Sequence, residues 1–345
     1  MAINDRFLRA CRREPTDCKP VWFMRQAGRY LPAYRAVRQK FSLLDICNHP
    51  DVAAQVTLQP VDILGVDAAI LFADILLPLI PMGIQLAFAA GEGPVIHNPI
   101  RTRDDVDALR PIHACEHLAN VMETVRLVRR DLNGRVPLIG FAGAPFTLAS
   151  YLIEGGASRT FLKTKTLMYR EPQTWRALMQ KLSDVISDYV CAQAAAGAQA
   201  IQLFDSWIGA LSPDDYRRHA LPYSQAIFRA VNTVPTIHFG TDSATLLPLM
   251  REAGGDVMSL DWRVPLDQGW RALGDVAVQG NLDPIALFAP RDVLAAKVRD
   301  ILQRANGRPG HIFNLGHGIL PETPVDNVRA VVDIVHEYST PAEMD

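Results

Sequence analysis

Eight short, apolar, β-prone segments recur along the whole chain and constrain its fold more than any other feature. They are Val21–Met24, Ala68–Ala73, Pro137–Ala142, Ala200–Phe204, Pro235–Phe239, Asp256–Leu260, Val276–Gln279 and His311–Leu315. Segments with helical periodicity lie between them, namely Ala114–Leu132, Trp175–Ala196, Pro213–Val231, Arg291–Ala305 and Thr323–Tyr338. Continuous apolar strands that alternate with helices predict a parallel sheet whose outer face is covered by the helices.

Eight such units predict an α/β fold, a single (β/α)8 TIM barrel. A small added β-hairpin is predicted at Ile84–Ala90 and Val95–Asn98, with its turn at Gly91–Pro94. No repeat, linker or low-complexity segment divides the chain, so we expect residues 1–345 to form one barrel domain. An open, doubly wound sheet is the alternative that the number of strands leaves open.

Residues with reactive side chains follow most of the predicted strands. In barrels of this kind, chemistry takes place on the loops after the carboxyl ends of the strands. The residues at or just after those ends are Arg25, Arg29, Asp74, Thr147, Tyr151, Glu154, Asp205, Ser206, His238, Asp261, Asn281, Asp283 and His317. We therefore expect these side chains to share one rim of the barrel.

The segment after the first strand is strongly basic. Residues 1–40 hold ten Lys or Arg against three acids, whereas the whole chain has a net charge of -2. Arg25, Arg29, Arg35 and Arg38 lie close together in this segment. A guanidinium group matches a carboxylate or phosphate with two parallel hydrogen bonds, so the excess predicts a pocket for a polyanion. A solvated basic arm is the alternative.

Each candidate also has a purely structural explanation. Asp74 precedes the apolar residues Ile75–Leu79 and could cap a short helix. Ser206 could bond only to the backbone of its own turn, and Tyr151 could be an ordinary core ring. His317, between two glycines, could belong to a phosphate-binding loop, since barrels often bind phosphate after the last two strands.

Composition bounds the class of protein. No apolar run approaches the ~20 residues of a membrane span, and the N-terminal sequence MAINDRFLRACRR has no apolar signal core. Five cysteines are scattered without a C-x-x-C pair, which argues against a disulfide framework and against a thiolate metal site. We expect a cytoplasmic protein whose partners include neither a membrane nor a nucleic acid.

Six motifs resemble those of the uroporphyrinogen decarboxylase family, in the family's order. They are MRQAGRYLPAYR (24–35), LFADIL (71–76), GFAGAPFTLASYLIEGG (140–156), LFDSW (203–207), GNLDP (280–284) and FNLGHGI (313–319). The resemblance implies a single barrel, a homodimer, and a carboxy-lyase without metal or organic cofactor. It also implies the reaction: the four acetate side chains of uroporphyrinogen III become methyl groups, giving coproporphyrinogen III in haem biosynthesis.

By motif position, the resemblance implies the site residues Arg25, Arg29, Asp74, Tyr151, Ser206 and His317, with Arg38 as a further substrate contact. Catalytic roles would fall on Asp74, Arg25, Tyr151 and His317. Asp74 would accept hydrogen bonds from pyrrole N–H groups and stabilise a protonated macrocycle. The family pattern places Arg25 near the reacting acetate, but a guanidinium stays protonated and is a poor general acid. His317 is chemically the easier acid. One departure is Trp207, where some relatives carry histidine.

Two other functions compete with this one. A zinc-dependent corrinoid or thiol methyltransferase of the same superfamily would carry an H-x-C step at a strand end. This chain has His238-Phe239-Gly240 there, and no cysteine follows Cys191. A non-catalytic tetrapyrrole carrier would need the arginines, but would not need Asp74, Tyr151 and the other reactive groups together on one rim.

Overall fold

The computed structural model describes residues 4–89 and 93–339. Its strands are β1 Ala69–Ile70, β2 Leu86–Ala89, β3 Gly93–Ile96, β4 Leu138–Gly143, β5 Ala200–Asp205, β6 Thr236–Gly240, β7 Val257–Ser259, β8 Ala277–Gln279 and β9 His311–Ile312. Its α-helices are α1 Arg6–Cys11, α2 Pro32–Arg38, α3 Leu43–Asn48, α4 Pro50–Leu64, α5 Arg103–Asp107, α6 Ala114–His117, α7 Ala119–Leu132, α8 Pro145–Glu154, α9 Leu162–Arg170, α10 Pro172–Ala196, α11 Pro213–His219, α12 Leu221–Ala230, α13 Leu247–Ala253, α14 Leu266–Leu273, α15 Arg291–Ala305 and α16 Val325–Ser339. Short 3-10 helices lie at Leu77–Leu79, Ile208–Ala210, Ala244–Leu246 and Pro284–Phe288.

Among the described residues, seven strands form one parallel, curled sheet in the order β1-β4-β5-β6-β7-β8-β9. Each of these strands lies inside or within one residue of a predicted apolar segment, and every strand residue is buried except Phe204. Helices connect successive strands, as the alternation in the sequence predicts. Because all seven strands run the same way, the loops after their carboxyl ends lie at the same edge of the sheet.

The prediction of eight regular strands is wrong for the first apolar segment. Val21 forms only an isolated parallel bridge, with Phe313. Two backbone N–H groups of this segment donate to side chains and not to the carbonyl groups of a neighbouring strand. The Val21 amide donates to Asp67 at 2.8 Å, and the Met24 amide donates to Asn314 at 3.1 Å. The described residues therefore form a seven-stranded sheet and not a closed eight-stranded barrel.

Buried polar side chains tie that first segment to the interior of the sheet. The indole N–H of Trp22 donates to Gln279 at 2.9 Å, and the Gln279 amide donates to Gln202 and Ser259 at 3.1 Å each. All four residues are fully buried. Since buried polar groups are costly without partners, these bonds fix how Trp22 packs against β5, β7 and β8.

Two further elements bear on the predictions. β2 and β3 pair antiparallel outside the main sheet, with Leu86 opposite Ile96, and residues 90–92 between them lie outside the described residues. The helix predicted at Pro213–Val231 is interrupted at Ala220, where α11 ends and α12 begins. Pro222 explains the break, because proline lacks the N–H that a continuous helix needs and its ring clashes with the preceding turn.

Candidate active site

A cavity of about 630 Å³ opens at the carboxyl edge of the sheet, and we call it the site cavity. It is lined by residues that follow the first apolar segment, β1, β5 and β9, and by residues of α8 and of the β2–β3 pair. All seven site residues inferred from the sequence line it: Arg25, Arg29, Arg38, Asp74, Tyr151, Ser206 and His317. These residues are separated by up to 292 positions in the sequence, and the fold brings them into one wall.

Arg25 is held in place by its backbone and by a glycine. Its φ of 62° is left-handed, which is uncommon for a residue with a side chain. The turn is pinned by buried Gln26, whose side chain accepts from the Phe23 amide and donates to the Ala68 carbonyl. A Cβ at Gly318 would lie 2.5 Å from Arg25 Cδ, so only glycine lets the arginine stem pass.

The arginines of the cavity are not neutralised by the protein. Arg25 and Arg29 are exposed, and within the described residues neither forms an ion pair or donates a hydrogen bond. Arg38, in the last turn of α2, donates to the Phe41 carbonyl at 2.7 Å. Guanidinium groups with no acidic partner, at the wall of a concave site, are suited to binding carboxylates.

Asp74 is the acidic residue of the lining, and no other Asp or Glu among the described residues lines the cavity. One oxygen, Oδ1, accepts from the Leu76 amide at 2.9 Å. Removal from water raises the pKa of Asp74, and this bond and the nearby Arg25 only partly offset the effect. The other oxygen has no hydrogen-bond donor among the described residues. Asp74 does not cap the 3-10 helix that begins at Leu77, and its bond to Leu76 is a local turn contact that uses one of the two carboxylate oxygens.

Tyr151 projects from α8 into the cavity wall, and its ring stacks on Trp207 with centroids 4.0 Å apart. Burial raises the pKa of Tyr151 to about 12; the charge of Asp74 adds to this rise, and Arg25 opposes it. Its hydroxyl group consequently stays protonated at neutral pH and can donate a hydrogen bond. The core-ring explanation does not hold, because the side chain is only half-buried and reaches the cavity.

Ser206 and His317 lie at the ends of β5 and β9. The Ser206 hydroxyl makes no hydrogen bond within the described part of the chain, so the local turn bond considered from the sequence is not formed. His317 is half-buried between Gly316 and Gly318, with its ring 6.0 Å from that of Phe239. Burial, with smaller contributions from Arg25 and Arg263, lowers the pKa of His317 to about 4. Its imidazole is therefore neutral at pH 7.

Other polar residues at the strand ends do not line the cavity. Asp205, His238, Asp261 and Asn281 are buried and bond to neighbouring backbone and side chains. Asp283 caps the 3-10 helix at Pro284–Phe288, Glu154 accepts from Thr164, and Thr147 donates to Asp205. Residues at the strand ends share one edge of the sheet, as expected, but these side chains make structural contacts and do not face the site cavity.

Sequence reasoning missed the aromatic part of the wall. Tyr34 and Phe72 line the cavity with ring centroids 5.5 Å apart, and Phe141 and Phe204 line it at 5.4 Å. Phe88 and Pro94, from the β2–β3 pair, also line it. Tyr34 lies in the basic segment and could have been proposed from its position. The two strand phenylalanines carry no comparable signal, because buried aromatic residues are ordinary in strands.

The methyltransferase alternative fails at the H-x-C position. A Cβ at Gly240 would lie 2.6 Å from Ile208 Cδ1, so a cysteine does not fit there without rearrangement. His238 is fully buried against Phe228, with Nδ1 at 3.2 Å from the Gly254 carbonyl, as expected of a core residue. Over residues 4–89 and 93–339, no three His, Cys, Asp or Glu side chains are grouped as metal ligands would be. In the same ranges no helix is long and apolar enough to span a membrane.

Comparisons with known proteins agree with the motifs. A family model for uroporphyrinogen decarboxylase (URO-D) matches residues 2–338. The chain is 59% identical over 337 residues to a uroporphyrinogen decarboxylase from Sorangium cellulosum, covering 97% of this chain and 96% of that protein. It is 57% identical over 339 residues to one from Solibacter usitatus, covering 97% and 98%. Among solved structures, a methyltransferase from Methanosarcina mazei aligns with a TM-score of 0.81 over 98% of this chain and 99% of that one, at 20% identity. This last likeness concerns the fold alone.

Proposed function

The chain belongs to the uroporphyrinogen decarboxylase family and is a carboxy-lyase of tetrapyrrole biosynthesis, and we propose that the site cavity is where its substrate binds and reacts. It converts the four acetate side chains of uroporphyrinogen III into methyl groups as carbon dioxide leaves, which yields coproporphyrinogen III. The observation that carries the proposal is the combination, in one cavity, of arginines without acidic partners in the described chain and one desolvated carboxylate, Asp74.

The arginines bind the carboxylates of the substrate. Uroporphyrinogen carries eight of them, and Arg25, Arg29 and Arg38 line the cavity with three guanidinium groups. We place Arg25 nearest to the reacting acetate, as the family resemblance implies. Its side chain passes close to Gly318, and its charge lowers the pKa of Asp74. Each charge-assisted bond to a carboxylate contributes about 1.5–3 kcal/mol.

Asp74 faces the centre of the macrocycle. The four pyrrole N–H groups of the flexible tetrapyrrole converge there, and the carboxylate oxygen that the protein leaves without a donor accepts from them. Ser206 and Tyr151, whose hydroxyl groups have no partner in the described residues, orient the ring or its side chains. The apolar wall of Phe141, Phe204 and Phe72 packs against the faces of the pyrroles.

The reaction needs electrons to be stored while carbon dioxide leaves. Many enzymes use a cofactor for this purpose, but a pyrrole protonated on the ring carbon next to the one that bears the acetate is itself an electron sink, because its positive charge is shared by the acetate-bearing carbon. The bond between the methylene carbon and the carboxylate breaks, and its electron pair neutralises the ring and leaves an exocyclic methylene. That methylene then takes a proton while the ring carbon releases one, so each carbon dioxide is replaced by one proton. The charge of Asp74 stabilises the cationic ring.

His317 supplies the proton only after the substrate has bound. In the free enzyme its pKa of about 4 makes it neutral, and a carboxylate placed beside it raises that pKa because the opposite charge favours the imidazolium. The bound acetate thus converts His317 into the protonated form that can act as a general acid. Arg25, which stays protonated, binds and orients that acetate. The test compares kcat with kcat/KM over pH, since kcat/KM reports the free enzyme and kcat the complex. Identical profiles would remove His317 from this role.

We also propose that the Val21–Met24 segment, although it is not a regular strand, occupies the eighth strand position between β9 and β1 and closes the sheet. Two bonds support this: the Trp22 amide donates to the Phe313 carbonyl at 3.3 Å, and the Asp67 amide donates to the Val21 carbonyl at 2.8 Å. Amide hydrogen exchange tests it. The Trp22 amide should exchange as slowly as amides of β4; exchange at the rate of a surface loop would contradict closure.

We also propose a homodimer, which the family resemblance implies, and a cytoplasmic location, which was expected from the composition of the sequence. Sedimentation velocity of the purified protein at micromolar concentration tests the first, and a single species of the monomer's 38.1 kDa would reject it. Fractionation of the source cells tests the second.

One assay tests the function as a whole. Purified protein is incubated with uroporphyrinogen III under reducing, anaerobic conditions, and the oxidised products are separated by the number of carboxyl groups. Stepwise appearance of species with seven, six, five and four carboxyl groups is expected. Bound but unchanged octacarboxylate would identify a carrier. Asp74→Asn is the matched control, because it should retain the fold and the arginines but lose turnover.

A further inference from the structure

We propose that Trp207 is a positioning residue that fixes the ring of Tyr151 in the cavity wall, an inference that rests on the role proposed for Tyr151. The two rings lie 4.0 Å apart between centroids with an interplanar angle of 32°. Trp207 is half-buried and does not line the cavity. It therefore acts on the site through the tyrosine and not by touching the substrate.

Tyr151 packs against the hydrophobic core, but no hydrogen bond among the described residues fixes the orientation of its ring. Its hydroxyl makes no hydrogen bond within the described residues, and its helix, α8, determines only where the Cβ lies. The ring must nonetheless hold its hydroxyl within the electrostatic reach of Asp74 and Arg25, both of which alter its pKa. Offset stacking on an aromatic neighbour leaves few orientations for the ring, so the indole supplies the missing constraint.

Trp207 is itself held from two sides. Its amide donates to Thr147 Oγ1 at 3.3 Å, and the Thr147 hydroxyl donates to the buried carboxylate of Asp205, also at 3.3 Å. On the other side, the ring of Phe161 packs edge-on against the indole at 5.3 Å. Phe161 has a left-handed φ of 53°, which a bulky residue rarely adopts. This support makes Trp207 a rigid backing for the tyrosine.

The first experiment measures how Trp207 and Tyr151 interact in turnover. Trp207→Ala should lower kcat about tenfold with little change in KM, since a misplaced catalytic group can cost up to about a hundredfold. Trp207→His keeps an aromatic ring and should recover most of the loss, and Phe161→Leu should give a smaller loss. In a Tyr151→Phe background, Trp207→Ala should cause no further loss, because coupled residues are not additive. A full, additive loss there would overturn the inference.

The second experiment reads the tyrosine ring without activity. With 3-fluorotyrosine at position 151, the indole ring should shift the fluorine resonance, and Trp207→Ala should move it towards the value of a free tyrosine and broaden it. An unchanged resonance in Trp207→Ala would overturn the inference whatever the kinetics. A moved resonance together with normal kcat in Tyr151→Phe would keep the inference and instead reject the proposed role of Tyr151.

Discussion

Replacing Asp74 by Asn removes one charge from the site cavity and almost nothing else. Oδ1 of Asp74 accepts from the Leu76 amide at 2.9 Å, and the amide oxygen of asparagine can accept the same bond. Asn and Asp both form this kind of local turn bond to the backbone two residues on. The substitution therefore separates the electrostatic role of Asp74 from its structural role.

The expected size of the effect follows from Coulomb's law. A full positive charge about 4 Å from the carboxylate is stabilised by about 4 kcal/mol at an effective dielectric constant of about 20. Asp74 is only half-buried, so water screens this interaction. If screening removes a quarter of the energy, about 3 kcal/mol remains. Each ~1.4 kcal/mol is a factor of ten in rate, which gives about a hundredfold loss of kcat. Donor-to-donor contact between the asparagine NH₂ and the pyrrole N–H groups acts in the same direction.

Stability should change in the opposite direction from activity. Because burial raises the pKa of Asp74, its folded-state pKa lies above the unfolded value of about 3.9. Such a group favours folding below its unfolded pKa, and that contribution is lost as the pH rises through the folded pKa. At pH 7 the ionised carboxylate is thus a net cost, and Asp74→Asn should melt at the same temperature or slightly higher.

The assay combines single-turnover decarboxylation of uroporphyrinogen III with thermal unfolding at pH 7. We expect a hundredfold slower first decarboxylation and an unchanged or raised Tm. In the wild-type enzyme, kcat/KM should decrease at acidic pH as Asp74 becomes protonated. Because the pKa of Asp74 is raised, this decrease should begin at a higher pH than for an ordinary Asp, and it should be absent in Asp74→Asn. Normal turnover in Asp74→Asn would refute the claim that this carboxylate stabilises the cationic ring.

Three further predictions follow from the site. Arg29→Ala should lower kcat/KM by the 1.5–3 kcal/mol of one charge-assisted bond, about 10- to 150-fold, with Arg29→Lys between the two; an unchanged value would mean that the segment is a solvated arm. An NMR titration of the free enzyme should show His317 with a pKa near 4, and a midpoint near 6.5 would contradict the assigned burial. Dialysis against a strong chelator should leave decarboxylation intact, and loss of activity that zinc restores would favour a metal-dependent reaction.

The sheet could be predicted from the sequence because its strands are buried on both faces. A strand such as Leu138–Gly143 then consists of a continuous run of apolar and small residues between helical segments. The first apolar segment looks the same in sequence but lacks a ladder. The reason is that Asp67 and Asn314, distant in sequence, accept its backbone N–H groups. No local pattern records such long-range bonds. The break at Ala220, in contrast, was readable from Pro222.

The candidate site was predicted from the convergence of strand ends in a parallel sheet, but that rule also selected residues that do not face the cavity. Asp261 and Asn281 follow strands as directly as Ser206 does, yet they are buried and bond to neighbouring loops. Successive side chains of a strand point to opposite sides, and a shift of one residue at the strand end decides whether a side chain meets the ligand or the packing behind it. Sequence spacing does not fix that shift in irregular loops.

Asp74 differs from the structural carboxylates in how many of its acceptor positions the protein already fills. Asp67 accepts from the side chains of Asn4 and Arg6 and from the Val21 amide. Asp261 accepts from two backbone amides and from the Arg263 side chain. Asp74 accepts from a single backbone amide among the described residues, although an ionised carboxylate offers about four acceptor positions. A partly desolvated anion with unused acceptor positions is unfavourable in the free protein, because a single hydrogen bond and a nearby arginine only partly offset the lost hydration. It becomes favourable when a ligand brings several N–H donors and, in the transition state, a positive charge, and uroporphyrinogen brings both.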